Sequence, residues 1–177
     1  SALDLAKELY NLSCMTFGKE HLDTVKVLPR ISQIYWELAD KCEESGDEVS
    51  ASYYEAKAIL TDPMPMYESA YKHILTLANY AEFFYNTGDI SRAKEIYEDI
   101  YAKCSRDFGE EHFATLESAH YLGMFYLDSG DPEQAIKIFD KLYSINCKTL
   151  GEKHTSSLES LNNLAMAYNN LQNYQNH

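Results

Sequence analysis

The sequence predicts an all-α protein built as a solenoid, in which antiparallel helix pairs stack one on the next. Gly46, Gly88 and Gly130 stand 42 residues apart, and an aspartate follows each of them. A fixed period of this size is typical of a repeat array and not of a single globular core. The chain also contains only 7 Gly and 4 Pro among 177 residues, a low proportion that favours long helices.

The second helix of a pair is best illustrated by residues 91–108. Its apolar residues recur at intervals of three and four, which is the spacing of one face of an amphipathic helix. These residues are Ala93, Ile96, Tyr97, Ile100, Tyr101 and Cys104. Asp89 is placed to cap the start of this helix and Gly109 to end it, as Asp131 and Gly151 are in the next copy.

The first helix of each pair precedes the Gly-Asp turn. Its buried face, which packs closely against another helix, is predicted to contain Leu122, Gly123 and Tyr126 and their copies 42 residues later. Small residues at the Gly123 position let two helices approach closely, and neighbouring pairs must stack to bury their apolar faces. These small residues are Ala39, Ala81, Gly123 and Ala165. The same phase predicts that Asn173 caps one further helix.

Two local signatures accompany the repeat. A Gly-x-x-His corner begins at Gly18, Gly109 and Gly151, and an Asn-Leu-Ala helix signature ends at Ala165, with a weaker copy at Asn79. The whole chain resembles the tetratricopeptide repeat, and its 42-residue period with these signatures resembles the kinesin light chain subtype. The resemblance implies a right-handed superhelix that serves as a non-catalytic scaffold for proteins or peptides, without a cofactor.

The predicted repeats divide the chain into five parts. They are residues 2–17, the second helix of a truncated repeat, then repeats at 18–60, 61–108 and 109–150, and a truncated repeat at 151–177. Because neither end carries a polar capping helix, we interpret the chain as a piece of a longer array. Exposed apolar ends and end-to-end self-association are therefore expected.

Two places depart from the regular period. Extra residues near Pro29 mean that the helix there is either longer and kinked at Pro29 or begins at it. In the second repeat, Asp62-Pro63-Met64-Pro65 replaces the Gly-x-x-His corner. Its prolines are expected to stop one helix near Leu60 and let the next start near Met66.

Composition excludes several classes of protein. The net charge of −13 argues against nucleic-acid binding, which needs a basic surface. The long apolar run of a membrane span is missing, as is a secretory signal. The four cysteines lack Cys-x-x-Cys spacing and are interpreted as buried free thiols, which suit the reducing cytoplasm.

No catalytic or metal site is predicted. His21, His112 and His154 lie in different repeats, so they are expected to support the corners, by packing and bonding between repeats, and not to converge on a metal. Glu117 and His120 have the spacing used in di-iron bundles, but a second copy is missing. Phosphate-binding loops and nucleophile motifs are also missing, so an enzyme is the weakest alternative. A His or Lys beside one of the groove acids would favour it.

A peptide-binding groove is predicted on the first helices. On the helical wheel, the arc beside the buried face is expected to line the concave surface. Its twenty positions, which also include Ala78 and Leu127, hold seven acids and no Lys or Arg. With two neighbouring Asn, the predicted site consists of Trp36, Asn79, Glu82, Tyr85, Asn86, Glu117, His120, Met124, Asp128, Asn162, Asn163, Met166, Asn169 and Asn170. A solvated acidic face is the alternative interpretation.

The ligand is predicted from the chemistry of this arc. Asn side chains can hold an extended peptide backbone, and Trp36, Met124 and Met166 offer apolar anchors. The resemblance to kinesin light chains implies acidic, Trp-containing cargo peptides, but the basic residues that grip them are missing here. A basic or neutral peptide is therefore expected. Alternatives are a regulatory segment that binds another domain of its own chain and a receptor for short signalling peptides.

Overall fold

A computed structural model describes residues 1–17, 27–61 and 68–175 of the chain. These residues form eight helices and no strand, as the sequence predicts. The helices are α1 (Ala2–Phe17), α2 (Leu28–Glu44), α3 (Glu48–Thr61), α4 (Glu68–Asn86), α5 (Ile90–Phe108), α6 (Phe113–Asp128), α7 (Pro132–Leu150) and α8 (Thr155–Gln175). Among them, none has the length and apolar character that a membrane span needs.

The first of two compact units comprises residues 1–69. Here α1 packs on α2, and α2 packs on α3. The core contains Ile31 and Tyr35 of α2 and Ala58 of α3, with Tyr10 of α1 against it. Helix α2 begins at Leu28, so Pro29 lies in its first turn, as the second of the two predicted alternatives requires.

The second unit comprises residues 70–177. Its helices α5 to α8 pack in chain order, each on the next. The predicted apolar faces lie in the core: Ile96, Ile100 and Cys104 of α5 are buried, as are Phe139 and Leu142 of α7. The all-α fold of stacked helix pairs is therefore confirmed.

Turns and caps also follow the prediction. Non-helical residues separate the helices at 45–47, 87–89 and 129–131. The Asp89 carboxylate accepts the Arg92 N–H at 3.1 Å, and the Asp131 carboxylate accepts the Gln134 N–H at 3.2 Å. These bonds satisfy N–H groups that lack a partner within the helix.

The expectation that Asn173 caps a helix is wrong. Helix α8 extends from Thr155 to Gln175 and passes through Asn173 without a turn. In the earlier copies the turn contains a glycine with positive φ, which is 82° at Gly130. The corresponding position here is Gln172, and a residue with a Cβ disfavours that conformation, so the helix continues.

The close approach of helices at Gly123 is confirmed. A Cβ atom on Gly123 would lie 2.7 Å from Cε1 and Cζ of the Phe139 ring, so α6 and α7 leave no room for a side chain. Ala39 and Ala81, at the same phase, are buried. Ala165 is exposed, because no helix after α8 lies among the described residues to cover it.

The corner histidines are structural, but they bond within their own corner. His112 Nδ1 accepts the Ala114 N–H at 3.2 Å, and the His112 ring stacks on Phe108 with centroids 4.6 Å apart. His154 Nδ1 accepts the Ser156 N–H at the same distance, 3.2 Å. These hydrogen bonds are therefore helix caps, and the stacking of His112 on Phe108 joins neighbouring repeats. His21 lies outside the described residues.

The cysteines are only partly as predicted. All four are free thiols, but only Cys104 is buried, while Cys14, Cys42 and Cys147 are partly exposed. Burial raises the pKa of the Cys104 thiol to about 11. The described residues contain no cluster of three or more His, Cys, Asp or Glu side chains that could hold a metal ion.

Candidate functional site

Two pockets that contain predicted site residues open in the second unit, one on each side of α6. Four predicted site residues of α6, namely Glu117, His120, Met124 and Asp128, follow one face of this helix at intervals of three and four. Glu117 and His120 line one pocket, and Met124 and Asp128 line the other. Helix α6 therefore contributes lining residues to both pockets.

The first pocket lies between α4, α5 and α6 and has a volume of 230 Å³. We call it the tyrosine pocket. Its chemistry is mixed, because two carboxylates, three phenols and apolar groups share one recess. The lining residues are Glu82, Tyr85, Asn86, Tyr97, Tyr121, Met124, Phe125 and Asp128.

Aromatic contacts fix the walls of the tyrosine pocket. The Tyr85 hydroxyl donates to the Asp128 backbone carbonyl at 2.8 Å and so joins α4 to α6. The Tyr85 and Phe125 rings meet edge to face, with centroids 6.1 Å apart and planes at 82°. The Tyr97 ring of α5 lies 5.2 Å from the same Phe125 ring. Three helices thus hold the pocket in one shape.

The electrostatic field in this pocket is negative. Glu82 and Asp128 make no salt bridge within the part of the chain that the structure describes. Burial, with smaller contributions from Glu82, Tyr121 and Asp128, raises the pKa of Tyr97 to about 12. A cation is the charge that such a site favours.

The second pocket lies between α6, α7 and α8 and has a volume of 340 Å³. We call it the serine pocket. Its lining residues are Phe113, Leu116, Glu117, His120, Leu142, Asn146, Leu150, Ser156, Glu159 and Ser160. Neither this pocket nor the tyrosine pocket is lined by Lys or Arg, as expected from the predicted arc.

Polar contacts hold the floor of the serine pocket. Buried Asn146 donates to the Ser160 hydroxyl at 3.0 Å and to the Ser156 carbonyl at 3.3 Å, which ties α7 to α8. Asn163 Nδ2 lies 3.4 Å from His120 Nδ1 across the α6–α8 contact. An amide has two N–H donors and a carbonyl oxygen, so this contact occupies only part of its bonding capacity.

The remaining predicted residues do not line a described pocket. Asn79, Asn162, Met166 and Asn169 are exposed, and Asn170 is half-buried. Trp36 belongs to the first unit, where its side chain is 41% exposed on α2.

The predicted arc was wrong at two of its positions. Ala78 and Leu127 are buried, at 5% and 8% exposure. The helical wheel assigned both residues to the groove, but Leu127 is covered because α6 packs against both α5 and α7. Ala78 lies on α4, where Tyr97 of α5 contacts it. The Ala78 carbonyl in turn accepts the Tyr97 hydroxyl.

Three aromatic residues of the tyrosine pocket were not among the predicted site residues. Tyr121 stands in phase with Asn79 and Asn163, so the 42-residue period itself carried the signal. Tyr97 lies on α5, a second helix, and a wheel drawn for first helices alone could not include it. Phe125 lies beside the arc and was assigned to neither face.

Comparison with protein families decides the classification. The model of the family described as tetratricopeptide repeat matches residues 73–148 and 115–176, which together exceed half of the chain. The chain belongs to the tetratricopeptide repeat family. A search of curated protein sequences found no match.

Solved structures that are similar to this chain support the same architecture. One is a Podospora anserina protein described as a kinesin light chain with nearly identical TPR-like repeats. Its structure matches with a TM-score of 0.58 and 20% sequence identity, and the match covers 98% of this chain and 79% of that one. Another is BtubC (BKLC) from P. vanneervenii, with a TM-score of 0.52 and 15% identity, covering 95% of this chain and 65% of that one. At these identities the likeness shows the fold, a kinesin light chain-like repeat array.

Proposed function

We propose that this tetratricopeptide repeat chain is a non-catalytic scaffold that binds an extended basic or uncharged peptide of a partner protein. The peptide would lie across α4, α6 and α8, where the two pockets open. The observation that carries this proposal is that acids from first helices line both pockets, and neither contains Lys or Arg. Repeats of this family generally bind proteins or peptides, which supports the same function.

Charge determines the class of peptide. Glu82 and Asp128 in one pocket and Glu117 and Glu159 in the other would face any bound segment. An acidic peptide would bring like charges together across the interface, which opposes binding. A basic peptide would be attracted, most strongly at low ionic strength.

The spacing of the pockets fits an extended chain. From Glu117 to Met124 the rise along α6 is about 10 Å at ~1.5 Å per residue. An extended peptide covers about 10 Å with about three residues. In the polyproline II form of an extended chain, every third side chain points the same way, at a rise of about 3.1 Å per residue. Two side chains three residues apart could therefore occupy the two pockets while exposed amides such as Asn162 and Asn169 hold the backbone.

A peptide-array screen tests this function. We expect the strongest binders to be basic or neutral and their binding to weaken as salt is raised, because exposed charges are screened. Acidic, Trp-containing peptides are the rival, given that the similar structures include kinesin light chain-type proteins. If acidic peptides bind most strongly, the proposed ligand class is wrong.

The same peptide array, probed with the Asn163→Ala variant, tests whether this amide holds the peptide backbone. If this amide holds the peptide backbone, its loss should weaken all binders to a similar extent, whatever their sequence. Asn11→Ala removes an exposed amide from α1 and serves as the control. An effect of Asn163→Ala that depends on peptide sequence would contradict backbone binding.

The ends of the described chain support self-association as a second interaction. Leu5, Leu9 and Leu12 of α1 are exposed, as are Leu158 and Leu161 of α8, all at more than 40%. Such contiguous apolar faces favour association, here proposed as end to end between copies.

We expect light scattering to show oligomers that grow with concentration. Leu158→Glu combined with Leu161→Glu should reduce them, because burying unpaired carboxylates is costly. Ile90→Lys, which changes an exposed residue of α5, should not. A monomer at every concentration would contradict this proposal.

A further inference from the structure

We propose that the tyrosine pocket binds one arginine side chain of the partner peptide, an inference that rests on the peptide-binding function proposed above. The juxtaposition that carries it is two carboxylates without an ion pair, two helix C-termini and a wall of aromatic rings around one 230 Å³ recess. Each of these features favours a cation, and they come from three different helices.

The carboxylates Glu82 and Asp128 differ from neighbouring acids. Glu110 pairs with Lys141 at 2.9 Å, and Glu98 pairs with Lys94 at 3.8 Å. Among the described residues, Glu82 and Asp128 have no such cationic partner. Their charges are therefore available to a ligand, and a guanidinium group can donate to both, since it carries five N–H donors in a planar fork.

Two helix dipoles add to the negative field. Helix α4 ends at Asn86 and α6 ends at Asp128, and both terminal residues line the pocket. Neither helix has a basic residue in its last turn. The C-terminus of a helix carries a partial negative charge, which a Lys or Arg in the last turn usually offsets. Here a ligand cation would offset two of them.

The aromatic wall selects arginine over lysine. Tyr85, Tyr97 and Phe125 form a contiguous cluster of rings on one side of the recess. A guanidinium group is planar, stacks on aromatic faces and is more weakly hydrated than an ammonium group. The pocket can therefore desolvate arginine at lower cost than lysine while the carboxylates satisfy its N–H groups.

The experiment uses decapeptides in which one central position is Arg, Lys, citrulline or Glu and the other positions are randomised among Gly, Ala, Ser, Asn and Leu. Citrulline keeps the shape of arginine without its charge. We expect the full chain to bind the Arg series at least about tenfold more tightly than the citrulline series, as about 1.4 kcal/mol of charge-assisted bonding gives. The Lys series should bind between them.

A variant carrying Glu82→Gln and Asp128→Asn should lose this preference, so that it binds the Arg and citrulline series with the same affinity. The control carries Glu133→Gln and Asp140→Asn, which remove the same charge from exposed positions of α7. The control should keep the preference.

Equal binding of Arg and citrulline peptides by the wild-type chain, or an Arg preference that survives in the pocket variant, would overturn the pocket assignment alone. Failure of every series to bind would overturn the peptide-binding function with it.

Discussion

Gly123→Leu is expected to lower the free energy of unfolding by about 1–3 kcal/mol, the cost of inserting atoms into a packed core. Its first added atom would lie 2.7 Å from two carbons of the Phe139 ring and 3.2 Å from Ile138 Cγ2. Phe139 has no exposed surface, so its ring cannot move into solvent. Glycine is about 1 kcal/mol less favourable than alanine inside a helix, so an unhindered replacement would stabilise the protein. A loss therefore isolates the clash between α6 and α7.

Urea unfolding measures this effect, and Ala165→Leu is the matched control. Ala165 occupies the equivalent position of the next copy but is exposed on α8. The control should change the unfolding midpoint little, since leucine and alanine have similar helix propensity. An unchanged midpoint for Gly123→Leu would mean that the packing of α6 on α7 is wrong.

The fold could be predicted from the sequence because its determinants are local and repeated. Gly88-Asp89 and Gly130-Asp131 encode turn and cap within two residues, and each recurs at the same phase. The wrong prediction at Asn173 shows whether the turn glycine or the capping residue ends the preceding helix. The capping residue type persists there without the glycine, and α8 continues through it. Positive φ at the turn, more than the cap, ends these first helices.

The site was harder to predict because a pocket joins residues from several helices. A helical wheel describes one helix at a time, and the residues Glu82, Tyr85 and Asp128 that it grouped line one pocket in the structure. It could not show that Tyr97, from a second helix, reaches the same recess. It also could not show that Leu127 is covered, because that depends on how α6 lies between its neighbours.

The buried Tyr97 phenol should make the protein less stable in alkali. Burial and then the nearby Glu82 raise its pKa from 10.0 to about 12 in the folded chain. The folded state thus keeps its proton to higher pH than the unfolded state. The resulting stabilisation is fully present below about pH 10 and is lost as pH rises through about 12.

Comparison of wild type with Tyr97→Phe isolates this contribution from that of the other 14 of the 15 tyrosines, which both proteins share. At neutral pH the variant should lose about 1 kcal/mol, because the Tyr97 hydroxyl no longer donates to the Ala78 carbonyl. Above about pH 10 the wild type should lose stability faster than the variant, until the variant is the more stable of the two. Tyr168→Phe changes an exposed ring and should leave the pH dependence as it is. Parallel unfolding curves for wild type and Tyr97→Phe across this pH range would mean that the phenol is not held in the negative, desolvated pocket on which the arginine site depends.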